Sequence, residues 1–149
     1  MTNTSMSLCH NPPSVEQINR SHHNTAVSQM GIELTEVGDD YLVARMPVDA
    51  RTRQPAGLLH DDATMLLDET LATCAAWQTI ERAKTDAVDL EINANHLRAS
   101  REGWVTGRVT PIHTGRSTQI RDVRATDEKA RLVSISRVTI SLIAKASSA

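Results

Sequence analysis

Phenylalanine is absent from this chain of 149 residues, and aromatic residues make up only 2% of it. A core without large rings has to be aliphatic and alanine-rich. Cysteine is scarce: Cys9 lies in a polar stretch and Cys74 in an apolar one. That pair matches neither a disulfide framework nor a zinc-ligand spacing. No run of roughly 18 apolar residues is present, which excludes a sequence-evident membrane helix. The first residues are polar rather than signal-like, so a cytoplasmic location is expected. A strong charge imbalance is missing too: the formal net charge is −2, which argues against general nucleic-acid binding. What remains is an ordinary soluble composition, 40% hydrophobic and 23% charged, in a length that suits one domain.

The charge is unevenly spread. From Glu91 to Arg124 there are six Arg against two Glu and one Asp. A local cationic excess on a mildly acidic chain suits a small polyanionic ligand, although a solvated strand face would look the same.

Residues 1–13, with Pro12 and Pro13, read as a flexible leader, 14–144 as the domain, and 145–149 as a tail that frays. Ser14 and Gln17 have the spacing of a capping box and open a short helix to about Ser21. A second helical turn is expected over 25–30. Residues 32–37 and 41–48 flank Gly38-Asp39-Asp40 as a hairpin. Leu42, Ala44, Met46 and Val48 share one face of the second arm by strict alternation. Pro47 cannot donate to a ladder, so the arm ends there or lies at an edge. A polar loop over 49–60 leads into an uninterrupted helical stretch from Asp61 to about Ala83. Its apolar residues lie nearly all round, which marks a helix buried on every side.

Val88, Leu90, Ile92 and Ala94 then alternate with polar residues, the cleanest strand signal in the chain. Strands over 103–112, 117–125 and 131–144 follow. In the last, Val133 and Ile135 share one parity but Val138, Ile140 and Leu142 the other, which predicts a bulge near Ser136-Arg137. Hairpin, one long helix, then four strands imply an α+β domain, a curved antiparallel sheet wrapped around one helix. One helix leaves the other sheet face partly uncovered, so a homo-oligomer is expected.

Glu69 is the first candidate for chemistry. A carboxylate in mid-helix among Leu66, Leu67, Ala72 and Thr73 must be paired, open to a cleft or shifted in pKa. Such a group can serve as base or nucleophile, or it can be a salt-bridged structural residue, as can Asp68 beside it. Gln54 offers an amide donor, and the first N–H groups after His60 are the unpaired donors of a helix start. Aimed at a thioester carbonyl, these would form an oxyanion hole. His96, Arg98 and Arg101 lie at one strand end, and His113, Gly115, Arg116, Ser117 and Thr118 at a later turn. Guanidinium, glycine and hydroxyl groups together suit phosphate recognition. His22-His23 reads as a surface pair, since no carboxylate or Cys stands at metal-ligand spacing.

Taken together, RTRQPAGLLH, the helix with DETLATCAA, the strand DLEINANHLRASREG and the turn IHTGRSTQI resemble the PaaI-like hotdog thioesterases. Within that group they are most similar to the 1,4-dihydroxy-2-naphthoyl-CoA and 4-hydroxybenzoyl-CoA thioesterase branch. The resemblance spans about residues 14–144. It implies hydrolysis of an aromatic acyl-CoA without metal or organic cofactor, CoA being part of the substrate. It also implies a homotetramer of hotdog dimers with each site at a subunit interface, and no nucleic-acid or membrane partner.

Carried over, Glu69 matches the catalytic carboxylate, as nucleophile or general base, and Gln54 and His60 the residues that orient the thioester. Asp61 takes the helix-start donor position, and Thr73 a hydroxyl that assists the hydrolytic water. Asp89, His96, Leu97, Arg98 and Ala99, with His113, Thr114, Gly115, Arg116, Ser117 and Thr118, match segments lining the CoA and acyl site. Five positions depart from the pattern. Asp61-Asp62 replaces Gly-Gly, Asp89 replaces a Gly, Ala56 an aromatic and Asp68 a small apolar residue. A carboxylate beside an oxyanion opposes the charge to be stabilised. The acidic pair therefore motivates the alternative of a hotdog protein that binds acyl-CoA without catalysis. An acyl-CoA hydratase on the same fold would need a dedicated His-carboxylate motif, which is not found.

Overall fold

The computed structural model describes residues 12–146. Most of the expected leader, with Cys9, and the last three residues of the tail lie outside the described residues. Helix α1 (Val15–Ser21) opens on the capping box: Gln17 N–H donates to Ser14 Oγ at 3.2 Å, and Ser14 N–H to Gln17 Oε1 at 2.8 Å. Helix α2 (Ala26–Gln29) follows. Strands β1 (Glu33–Val37) and β2 (Leu42–Pro47) form the expected hairpin, closed by Gly38 N–H donating to Tyr41 O at 2.8 Å. As the alternation requires, Leu42, Ala44 and Met46 are buried, and the strand stops at Pro47.

After the loop come α3 (Asp61–Trp77), β3 (Thr85–His96), β4 (Trp104–Thr114), β5 (Thr118–Thr126) and β6 (Leu132–Ala144). All neighbours in the six-stranded sheet are antiparallel, in the order β1-β2-β4-β5-β6-β3. Helix α3 packs against β2, β3, β4, β5 and β6. The sheet thus curls around it, as the sequence implies.

Close approach is possible because a row of small residues crosses the sheet. Ala44, Gly107, Ala125 and Ser134 are successive register partners on β2, β4, β5 and β6. Leu67 and Leu71 of the helix fill the trough; a Cβ at Gly107 would stand 2.7 Å from Leu71 Cδ1 and 3.4 Å from Leu67.

Two expectations need correction. The helix ends at Trp77, not near Ala83. Thr79 Oγ1 donates to Ala76 O at 2.8 Å and accepts Gln119 Nε2 at 2.8 Å, so the chain leaves the helix into a turn pinned to β5. Arg121, fully buried beside Gln119, donates its guanidinium to Gln119 Oε1, and burial lowers its pKa to about 10.

No bulge falls at Ser136-Arg137: β6 bulges against β5 nearer its start, where Val133 is the extra residue, and β3 bulges against β6. Register with β6 shifts between Asp89 and Glu91, leaving Leu90 as the extra residue. The apparent phase slip in β6 arises because Ser134 and Ser136, both buried, continue the inward row that Val138 and Ile140 begin. In β3 the bulge turns Asp89 inward, while Val88 and Leu90, 43% and 65% exposed, stand outside.

The two sheet edges differ. β1 is clipped to α1 by Asn19, which accepts Leu34 N–H at 2.8 Å and donates to Leu34 O at 2.9 Å. β3 has no strand beyond it among the described residues. A long bare edge is a template for pairing with another chain.

Gly107→Val will test the trough. Forcing branched carbons against Leu71, itself wholly buried, should cost about 1–3 kcal/mol of stability, the usual range for overpacking. An unchanged urea midpoint would mean that the helix has room to move.

Candidate active site

Glu69 is exposed, whereas its neighbour Asp68 has no accessible surface. Successive helical residues point about 100° apart, so one turns under the sheet and the other into a cleft. That cleft, about 460 Å³, is lined by Glu69, Thr73, Asp89, His22, Trp77 and Arg82 among others. Thr73 Oγ1 lies 2.6 Å from Asp89 Oδ2 and 3.0 Å from the backbone oxygen of Glu69. The Glu69 pKa is raised, first by desolvation and then by the facing Asp89 carboxyl, which hydrogen-bonds it and repels its charge. Among the described residues Glu69 has no salt-bridge partner, and it is not deeply buried. It is a cleft carboxyl with a like-charged neighbour.

His22 is not the surface residue its sequence context suggests. It is half-buried at the end of α1, with Nε2 3.6 Å from Cys74 Sγ, and burial lowers its pKa. Burial also pushes the Cys74 thiol up to about 12, so it is not a ready nucleophile. His22, Trp77 and Arg82 were not legible as cleft residues. Their placement depends on α1 and on the turn after α3 folding back against one face, which no local pattern encodes. Arg82 stacks over the Trp77 ring at 4.4 Å.

A second hollow of about 560 Å³ surrounds the start of α3, with Gln54, His60, Asp61, His96, Arg98 and Ala99 in its lining and Leu97 beside them. The preceding loop is held firmly, with Arg53 and Leu59 forming a bridge and Leu59 N–H donating to Ser100 O at 2.8 Å. Gln54 Oε1 accepts the Ala56 N–H, which leaves the Nε2 hydrogens to point elsewhere. His60 is the N-cap of α3: its Nδ1 accepts Asp62 N–H at 3.1 Å. The neutral ring then carries its proton on Nε2. No acceptor is within hydrogen-bonding reach of the Asp61 N–H among the described residues. The Asp61 carboxylate turns toward His96, Oδ1 to Nδ1 3.5 Å, and Asp62 stays near His60 at 3.9 Å. Both acids lie in the first helical turn, where the helix dipole favours negative charge.

Within one protomer the two hollows are separate. Eight residues divide Asp61 from Glu69, a rise of roughly 12 Å along the helix, so one thioester carbonyl cannot touch both. The third group, His113, Thr114, Gly115, Arg116, Ser117 and Thr118, lines neither hollow. It forms the β4–β5 turn, closed by Gly115 N–H donating to Thr118 O at 3.0 Å. A side chain at Gly115 would meet His113 Nε2 at 2.6 Å. Arg101 lies apart as well, in a hollow of mixed charge with Glu102, Asp127 and Arg131.

A hotdog sheet around one helix, with a carboxyl in an open cleft and a free N–H at the helix start, fits the class of α+β thioester hydrolases. Comparison with known proteins agrees. Residues 56–134 match the model of the thioesterase superfamily. The crystal structure of a mutant thioesterase from Pseudomonas aeruginosa superposes with a TM-score of 0.91 at 37% identity, covering 93% of this chain and all (100%) of that one. A thioesterase structure from Haemophilus influenzae gives 0.87 at 41% identity over 90% of this chain and 93% of its own. The 1,4-dihydroxy-2-naphthoyl-CoA hydrolase of Escherichia coli is 40% identical over 129 residues, 87% of this chain and 94% of the relative. The chain belongs to the thioesterase superfamily and is an enzyme of the thioester-hydrolase class.

Asp68 is an unusual neighbour for such a site. It points into the core at the inward serines of β6, and burial raises its pKa to about 7; Ser136 offsets this only in part. Among the described residues neither carboxyl oxygen has a hydrogen bond of good geometry, and the Ser134 and Ser136 hydroxyls are likewise unsatisfied. The folded protein therefore keeps a proton that the unfolded chain releases near 3.8. Stability must then fall as pH rises from about 4 to about 7 and level off above, a total on the order of 4 kcal/mol. Asp68→Ala should abolish this slope, with a higher urea midpoint than wild type at pH 8 and little difference near pH 4. Parallel pH profiles would show that Asp68 carries no such penalty.

Proposed function

We propose that the protein hydrolyses an aromatic acyl-CoA, of the hydroxybenzoyl or dihydroxynaphthoyl type, to the free acid and CoA. The observation that carries this reading is the Glu69 carboxyl, open to a cleft and held above its ordinary pKa. In this role Gln54 Nε2 and the unbonded Asp61 N–H polarise the thioester carbonyl. His60 orients the group, and Glu69 attacks the carbonyl or activates water while Thr73 steadies it. Arg98 and the β4–β5 turn offer guanidinium, hydroxyl and backbone donors to CoA phosphates. The reaction so drawn needs no metal or organic cofactor. The substrate class rests on the likeness to the naphthoyl-CoA hydrolase.

Glu69 and the Gln54 hollow must meet across two copies of the chain. The bare β3 edge supports a dimer in which one protomer supplies Gln54, His60 and Asp61 and the other Glu69. Two such dimers would make a tetramer, using the outward Val88 and Leu90 as further contact. No helix among the described residues is long and apolar enough to cross a membrane, and we place the enzyme in the cytoplasm.

With a benzoyl-type CoA ester and a free-thiol assay, Glu69→Gln should lower kcat by about 100-fold or more. The acid limb of wild-type kcat/KM should fall above the ordinary glutamate value of 4.5, since the carboxylate is the working form. Unaltered turnover in Glu69→Gln would remove Glu69 from the mechanism. If the site is shared, unfolding and refolding Glu69→Gln together with Gln54→Ala should restore about a quarter of wild-type activity through mixed dimers. A monomer in solution, or no recovery, would refute the shared site. Asp61→Gly should raise kcat severalfold, because the carboxylate near the oxyanion is lost and the N–H remains.

A further inference from the structure

Asp89 occupies a position that is glycine in the resembling family, so its role has to be read from this chain. The bulge at Leu90 carries its side chain into the Glu69 cleft, where Thr73 meets it from α3. The Thr73 hydroxyl donates to Asp89 Oδ2 at 2.6 Å, closer than its other acceptor, the Glu69 backbone oxygen at 3.0 Å. A carboxyl that accepts such a bond is favoured as the anion. The second oxygen, Asp89 Oδ1, is shut off from water. Among the described residues the facing Glu69 carboxyl is the group left for it to accept from. Two carboxyls that face each other cannot both ionise cheaply, and one proton between them satisfies both. With Asp89 already accepting from Thr73, that proton belongs on Glu69.

We propose that Asp89 is a positioning residue: held by Thr73, it accepts the Glu69 proton in a hydrogen bond and keeps that carboxyl capped until the pH rises. This deepens the hydrolase function proposed above and rests on it. Nothing covalent is added to the reaction. When the proton leaves for solvent, the freed Glu69 carboxylate faces the Asp89 anion. A carboxylate kept beside a like charge is a stronger base than one alone. Asp89 thus lowers activity at low pH and sharpens the working carboxylate at high pH. The raised Glu69 pKa, caused first by desolvation and then by Asp89, agrees with this arrangement.

The other titratable groups of the cleft are His22, Cys74 and Arg82. His22, at the end of α1, has its pKa lowered by burial, and burial pushes the Cys74 thiol on α3 up to about 12. Both are therefore neutral where the pair exchanges its proton. Arg82, after α3, lies over the Trp77 ring at 4.4 Å. Asp68 of the same helix is buried in the core, away from the cleft. From β3 it is Asp89 that faces Glu69.

The test is Asp89→Asn, whose amide oxygen still accepts the Thr73 hydroxyl while its NH2 group donates to Glu69. Asp89→Gly serves as the second variant should the first fail to fold. Wild-type kcat/KM on an aromatic CoA ester should rise with pH along a limb placed above 4.5, the ordinary glutamate value. Either variant should move that limb down by about one pH unit or more. The two profiles should then cross. The variant is severalfold more active below the wild-type limb and severalfold less active on the plateau, where its carboxylate is the weaker base. Carbon NMR of the Glu69 carboxyl, assigned by its loss in Glu69→Gln, should show the same move to lower pH. Damage to packing alone would lower activity at every pH and leave both midpoints in place. Coincident limbs, or a Glu69 titration unmoved by the change, would overturn the proposal. If Glu69→Gln keeps full turnover, the hydrolytic role of Glu69 fails, and the NMR titration still decides whether Asp89 holds its proton.

Discussion

Everything in this protein is organised by the burial of α3 against a sheet that approaches it closely. The approach is set by Ala44, Gly107, Ala125 and Ser134 lying in register across four strands. It is matched on the helix by Ala63, Ala72, Ala75 and Ala76, all buried. With no phenylalanine to fill space, tight backbone contact is how the core reaches normal density. Such contact fixes the rotation of the helix. Once Leu67 and Leu71 are seated, the direction of every other side chain on α3 follows.

That rotation sorts the acids. Asp68 is driven into the core, where it keeps a proton up to about pH 7. Glu69, one residue on, reaches the cleft. Asp61 and Asp62 remain at the helix start, where the dipole tolerates them and His96 and His60 stand beside them. The same substitution type, acid for a small residue, thus has different consequences at each site. At 61 it stands beside His96 at the helix start, at 68 it is buried, and at 89 it faces Glu69 across the cleft.

Most of the architecture was legible because it is local. The Ser14–Gln17 box, the hairpin and the inward row of β2 are written in spacings that the structure reproduces. The bulge was misplaced because serines look polar in a pattern yet take inward positions in β6, while Val88 and Leu90 look apolar yet face outward. The helix end was missed because the residues that stop it, Thr79 and Gln119, are forty apart in the chain.

By itself the sequence determined the element order, the single buried helix, the kinship carried by four motifs and Glu69 as the acid of interest. Only the tertiary structure decided which acid is buried and which faces the cleft. It likewise decided that Asp89 faces Glu69, and that the Gln54 hollow and the Glu69 cleft are separate within one protomer. The physical reason is the same in each case. Periodicity fixes which residues share a face, but where that face points depends on contacts between segments distant in the chain.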